Sequence, residues 1–141
     1  MTSRHSLYVF LIYSHADKVA VHHLYTRLTK AGVKVWLDTK VLMPGQDWKT
    51  EIRRAILKSE AVVVCLSRQF NKPKGYRHQE LRIALERAVL FPDELMVIPA
   101  RLEECEMPRS LHGLQRVDLF EANGFRMLRH ALRRLGEGGV R

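Results

Sequence analysis

Much of what would settle a function outright is missing from this sequence. It has only two cysteines, Cys65 and Cys105, at no repeated spacing. That argues against a disulfide-stapled secreted scaffold and leads us to expect a reduced, cytoplasmic protein. No apolar run approaches the roughly 20 residues that a membrane-spanning helix needs. Leu7–Tyr13 and Ala61–Leu66 are strand-sized, so no membrane partner is expected. The N-terminus lacks the basic head, long apolar stretch and small-residue cleavage site of a secretory leader. Neither H-E-x-x-H nor a Cys/His ligand spacing occurs, and the adjacent His22 and His23 cannot share a helix face, so no metal site is expected. Nothing matches the phosphate loop G-x-x-x-x-G-K-[ST]. No G-x-G-x-x-G follows the first apolar run, which argues against a dinucleotide-dependent oxidoreductase.

What is present fits one compact domain. The apolar fraction of 46% can build a continuous core in 141 residues, a length too short for two ordinary domains. Twenty-four Lys and Arg against fifteen Asp and Glu leave a net charge of +9. The excess clusters in Lys49–Arg87, with ten basic and four acidic residues, and in Ala122–Arg141, with five and one. Such a field attracts polyanions, so RNA, DNA and phosphate-bearing small molecules remain open. A solvated surface, or one that meets an acidic partner, explains the same charge.

Strand and helix patterns alternate along the chain. Leu7–Tyr13 is a continuous apolar run that predicts a strand buried on both faces. Ser14 and Asp17 have the spacing of a capping box. The helix that follows puts Val21, Leu24, Leu28 and Ala31 on one face and stops at Gly32. Val33–Leu37 is the second strand, and Asp38–Gln46, with Pro44-Gly45, reads as a loop. Asp47 caps a helix that turns Trp48, Ile52, Ala55 and Ile56 inward. Ala61–Leu66 is the third, central strand, followed by a basic loop over Ser67–Gly75. A helix from Tyr76 to about Leu90 buries Leu81, Ala84, Leu85 and Ala88. Leu95–Leu102 is a strand broken near its end by Pro99. Glu103–Gln115 is irregular, and Arg116–Phe120 is a short fifth strand. Asn123 caps a last helix carrying Phe125, Leu128, Leu132 and Leu135. The expected fold is therefore α/β: a flavodoxin-like three-layer sandwich with a five-stranded parallel sheet, order 2-1-3-4-5, and helices on both faces. Residues 1–135 form the domain, and 136–141 read as a Gly-rich tail or linker.

In such sheets ligands bind outside the carboxyl ends of the strands. A phosphoacceptor domain of this topology needs an acidic pair after strand one and an Asp ending strand three. Here those places hold Ser14-His15 and Ser67. Glu80 stands out instead, about one turn into its helix and beside the positive end of the helix dipole. Tyr76, four residues earlier, shares its helical face. An aromatic ring beside a carboxylate suits glycosidic cleavage: the ring stacks on a flat base while the carboxylate steadies an oxocarbenium-like carbon. A first-turn acid that pairs with Arg77 or complements the dipole explains Glu80 equally simply.

Four stretches carry a family resemblance. They are Phe10 to His15 (FLIYSH), Val35 to Asp38 (VWLD) with Leu42 to Gly45 (LMPG) and Trp48, Glu51-Ile52 with Ala55-Ile56 and Ser59, and Gly75 to Leu81 (GYRHQEL). In this order and spacing, from about Tyr8 to Leu135, the chain resembles TIR (Toll/interleukin-1 receptor) domains, especially those of bacterial immune proteins. The last stretch is similar to the family's W-x-x-x-E-L segment, with Tyr76 in place of the frequent Trp. The resemblance implies an NAD⁺ glycohydrolase that cleaves the nicotinamide–ribose bond, with Glu80 catalytic. NAD⁺ is then the substrate, and no cofactor is needed. It also implies that Ser14, His15, Asp38, the loop residues Leu42, Pro44 and Gly45, Trp48 and Tyr76 border the substrate. Ser14 as helix cap, Asp38 as turn former, Trp48 as core anchor and His15 as a solvent-facing residue are the structural alternatives.

Further implications are activation by assembly with other TIR domains, as a homo-oligomer or filament, a sensor that triggers assembly, and a setting in anti-phage defence. ADP-ribose and its cyclic form are both admissible products. A non-catalytic TIR scaffold is the alternative function. No aromatic platform interleaves with the basic residues of the last helix, so nucleic acid is expected only indirectly, if at all.

Overall fold

The computed structural model describes the backbone of residues 7–37, 45, 47–72 and 76–138, and their side chains except those of 37, 48, 49, 76–80 and 136–138. Its strands are β1 (Tyr8–Ile12), β2 (Lys34–Leu37), β3 (Ala61–Leu66), β4 (Met96–Arg101) and β5 (Val117–Asp118). Its helices are α1 (Lys18–Lys30), α2 (Trp48–Lys58), α3 (Tyr76–Leu90) and α4 (Gly124–Gly138). The five strands form one parallel sheet in the order β2-β1-β3-β4-β5, as the alternating pattern predicts.

The sheet separates two cores, and residue parity decides which side chain enters which. Val9, Leu11, Val63 and Cys65 point to one face, where Val21, Leu24 and Leu28 of α1 and Leu128 and Leu132 of α4 cover them. Phe10, Ile12, Val62, Val64 and Leu66 point to the other, under Ile52 and Ile56 of α2 and Leu81 and Ala84 of α3. Every residue of β3 is buried, as a central parallel strand requires.

Local chemistry shapes the ends of these elements. Gly32 takes φ +92°, the left-handed stop expected after α1. Ala31, however, is exposed: the helix closes at Lys30, and the Ala31 N–H bonds back to the Arg27 and Leu28 carbonyls. Asp47 caps α2, accepting from the Thr50 N–H at 3.2 Å and its hydroxyl at 2.7 Å. Pro99 does not break β4. The even-numbered residues of this strand turn their N–H groups to β3, as Met96 N to Glu60 O and Leu102 N to Leu66 O show. Pro99 therefore turns its nitrogen toward β5, whose pairing begins only at Ala100, and no ladder bond is lost.

β5 is shorter than expected because the chain turns away after Asp118 to enter α4. Gly124 makes that entry possible: a Cβ there would lie 2.0 Å from the Asp118 carbonyl oxygen. α4 runs to Gly138, three residues into the stretch read as a tail. Among the described residues no helix is long and apolar enough to cross a membrane.

Candidate active site

The carboxyl ends of β1 and β3, neighbours in the sheet, carry the first part of the site. Ser14 follows β1, is buried, and accepts a weak 3.4 Å bond from the Ala16 N–H. His15 is exposed and opens a single 3-10 turn, His15–Asp17, ahead of α1. Ser14 is thus an N-cap, but of this short turn. The capping box is not formed. The turn brings Asp17 to the N-cap of α1, where its side chain makes no cap bond. The Asp17 carboxylate reaches across the strand tips instead and accepts from the hydroxyl of Ser67, at the end of β3.

Ser67 is buried, and its Oγ also accepts from the Phe70 N–H at 3.0 Å. Phe70 is fully buried in the core that α2 and α3 cover. One hydroxyl therefore links the start of α1, the end of β3 and the approach to α3. Sequence reasoning missed this link because the Ser14–Asp17 spacing has a local explanation. The available signal was a serine ending each of two adjacent central strands. We expect Ser67→Ala to cost about 1–3 kcal/mol, since it removes a partner from both a carboxylate and a buried N–H. A lower urea midpoint with unchanged slope would register the loss.

Tyr76 and Glu80 lie on consecutive turns at the start of α3. Leu81, the next residue, is buried against the sheet and fixes the helix backbone there. The side chains of Tyr76, Glu80 and Trp48 are not among those described, although Trp48 opens α2 as expected. Gly45 has φ +91°, suited to a glycine in a tight turn. Asp38, Leu42 and Pro44 lie outside the described residues. Ser14 and His15 on one side and the first turns of α3 on the other thus flank the rim defined by β1 and β3.

A second concavity lies over β4 and β5. It is an open cleft of about 1150 Å³ whose walls include Asn71, Arg101, Cys105, His112, Arg116 and Asp118. Arg101, buried at the end of β4, donates from Nε and one terminal nitrogen to the two Asp118 oxygens, at 2.7 and 2.9 Å. Its other terminal nitrogen donates to the Cys105 carbonyl at 2.8 Å. The hydrogen bonds between Arg101 and Asp118 raise the guanidinium pKa and lower that of Asp118 despite partial burial, with Arg116 adding a further bond to Asp118. The pair neutralises itself, and no Phe, Tyr or Trp lines the cleft among the described residues. Cysteine chemistry is disfavoured at both ends: burial, with a smaller contribution from Asp17, pushes the Cys65 thiol far up, and burial also raises Cys105.

A doubly wound α/β domain with its candidate site at the strand tips is the class that fold and geometry define. Residues 9–132 match the model of the TIR domain family. The chain belongs to that family. It is 32% identical over 95 residues to the uncharacterized protein y4cD of Sinorhizobium fredii, a match that covers 67% of this chain but 15% of that protein. Among solved structures, the TIR domain of the Toll-related receptor TRR-2 of Hydra magnipapillata superposes with a TM-score of 0.74 at 24% identity, covering 89% of this chain and 97% of that one. The TIR domains of the activated Roq1 resistosome give 0.62 at 23%, covering 94% and 84%. The Clostridium botulinum CMP N-glycosidase BcmB gives 0.56 at 17%, covering 86% and 97%. At these identities the structural likenesses establish the fold alone.

Proposed function

We propose that this TIR domain is an NAD⁺ glycohydrolase and that Glu80 is its catalytic carboxylate. The reading rests on one observation: Glu80 sits in the first turns of α3, at the strand-tip rim, with its backbone fixed by the buried Leu81 beside it. Nicotinamide in NAD⁺ already carries a positive charge, so the bond from its nitrogen to the ribose C1′ breaks without a general acid. The bonding pair leaves with nicotinamide, and the carbon becomes an oxocarbenium-like cation. The Glu80 carboxylate stabilises that cation electrostatically, and Tyr76 offers a stacking face for the base. Water then adds to C1′ and loses a proton to give ADP-ribose; addition of an adenine nitrogen gives the cyclic product. BcmB, of the same fold, cleaves an N-glycosidic bond, which supports this class of chemistry on this scaffold.

Ser14, His15, Asp38 and the loop through Leu42, Pro44 and Gly45 to Trp48 would complete the pocket, with NAD⁺ as substrate and no cofactor. The Roq1 resistosome, an assembly that includes TIR domains, supports activity in an oligomer. A cytoplasmic anti-phage role, triggered through a sensor, fits the same reading. The test is nicotinamide release from NAD⁺ by concentrated protein, wild type against Glu80→Gln. Release by the wild type alone supports the assignment. Equal rates would remove Glu80 from the chemistry, and no release from either would favour a non-catalytic scaffold.

A further inference from the structure

The sheet face covered by α1 and α4 has a charge pattern that NAD⁺ cleavage does not use. From α1 it exposes Lys18, His22, His23, Arg27 and Lys30. From α4 it exposes Arg126, Arg129, His130, Arg133 and Arg134. Neither helix contains an acid except Glu137 in the last turn of α4; Asp17 and Glu121 lie just outside the helix starts. Arg27 stacks over the Phe125 ring at 3.9 Å and joins the two helices into one surface. Elsewhere several arginines are paired, Arg54 with Glu51, Arg68 with Glu103 and Arg87 with Glu94. Among the described residues no Lys or Arg of α1 or α4 has an ion-pair partner.

We propose that this face binds the phosphate backbone of a nucleic acid duplex. Arg126, Arg129, His130 and Arg133 follow the three- and four-residue spacing of one helical face, and they surround an open depression of about 490 Å³. From Arg126 to Arg133 the helix advances about 10 Å, over which a duplex presents about six phosphates. A second copy of the same face carries the same charge and is repelled. No aromatic side chain of either helix is exposed, Tyr25 and Phe125 being half-buried. Protein partners lose the aromatic anchors that dominate their interfaces, and single strands lose the stacking platforms they need. Backbone contact with a duplex needs neither. The apolar sides of both helices are taken up largely by the core; Val19 and Met127 are the large apolar side chains they leave exposed, one on each helix, which is far less than the continuous apolar face an interfacial helix inserts into lipid.

The test is fluorescence anisotropy with a labelled 20-base-pair DNA duplex and its single strand, over a range of salt concentrations. It compares wild type with Arg126→Gln/Arg129→Gln/Arg133→Gln. A control triple, Arg53→Gln/Lys58→Gln/Arg82→Gln, removes the same charge from exposed positions on α2 and α3, across the sheet. Melting curves verify that both variants fold. The α4 triple should weaken duplex binding at least about tenfold at low salt and flatten the salt slope by about 2.7, at about 0.9 per phosphate contact. The control triple should leave the slope unchanged. Equal loss in both triples, tighter binding of the single strand, or capture by phosphatidylserine vesicles without duplex binding would overturn the proposal. NAD⁺ cleavage is not part of the readout, so this result and the Glu80 assignment stand or fall separately.

Discussion

Glu80→Gln should slow nicotinamide release by about 100- to 1000-fold, or about 2.7–4 kcal/mol of transition-state stabilisation, the scale of losing one preorganised electrostatic partner. The substitution keeps the size and hydrogen-bonding reach of the side chain and removes only its charge. The ribose in bound NAD⁺ is neutral at C1′ and becomes positive as nicotinamide departs. The lost interaction therefore belongs to the transition state, so kcat and kcat/KM should fall together while KM changes little. A merely structural Glu80 predicts something else: a lower melting temperature, with activity recovered on cooling. If the Gln variant melts like the wild type and releases nicotinamide at the same rate, a different group steadies the cation.

The sheet order was legible because it follows from residue types repeated over long stretches. The unbroken apolar character of β1 and β3 marks them as central, and the helical stripes of α1, α2 and α4 assign the layers. Local signals with local consequences also came through, such as Asp47 capping α2 and Gly32 ending α1. Partnerships across the sheet did not. Asp17 has a plausible partner three residues away, and only the folded tips of β1 and β3 reveal Ser67 as the actual one. Pro99 reads as a strand breaker until it is known which neighbour its nitrogen faces. Arg101 and Asp118 give no sequence cue that they belong together. In each case the missing information is three-dimensional register. The proposal for Glu80 rests in the sequence mainly on resemblance, since a first-turn acid has an ordinary explanation in any helix.

The Arg101–Asp118 pair should dominate the stability of the β4–β5 end of the sheet. Asp118→Asn keeps the shape but strips the counter-charge from a guanidinium that is 7% exposed. The Cys105 carbonyl bond and a 3.7 Å approach to Glu104 remain. Breaking a buried pair costs about 3–5 kcal/mol. Because the Asp118 side chain is 21% exposed, screening reduces this, and we expect about 2–3 kcal/mol, or a fall in Tm of about 6–12 °C. The pH dependence fixes the cause. The native state lowers the Asp118 pKa, so its contribution is fully present above the unfolded carboxylate value of about 3.9. It is lost as pH falls from there through the lowered native value. The gap between wild type and variant should therefore be constant near neutrality and close in that acidic window. A gap that persists unchanged in acid would assign the loss to packing. Replacing both partners with apolar residues, Arg101→Met with Asp118→Leu, should recover most of the stability lost by Asp118→Asn, because no buried charge is then left without its partner.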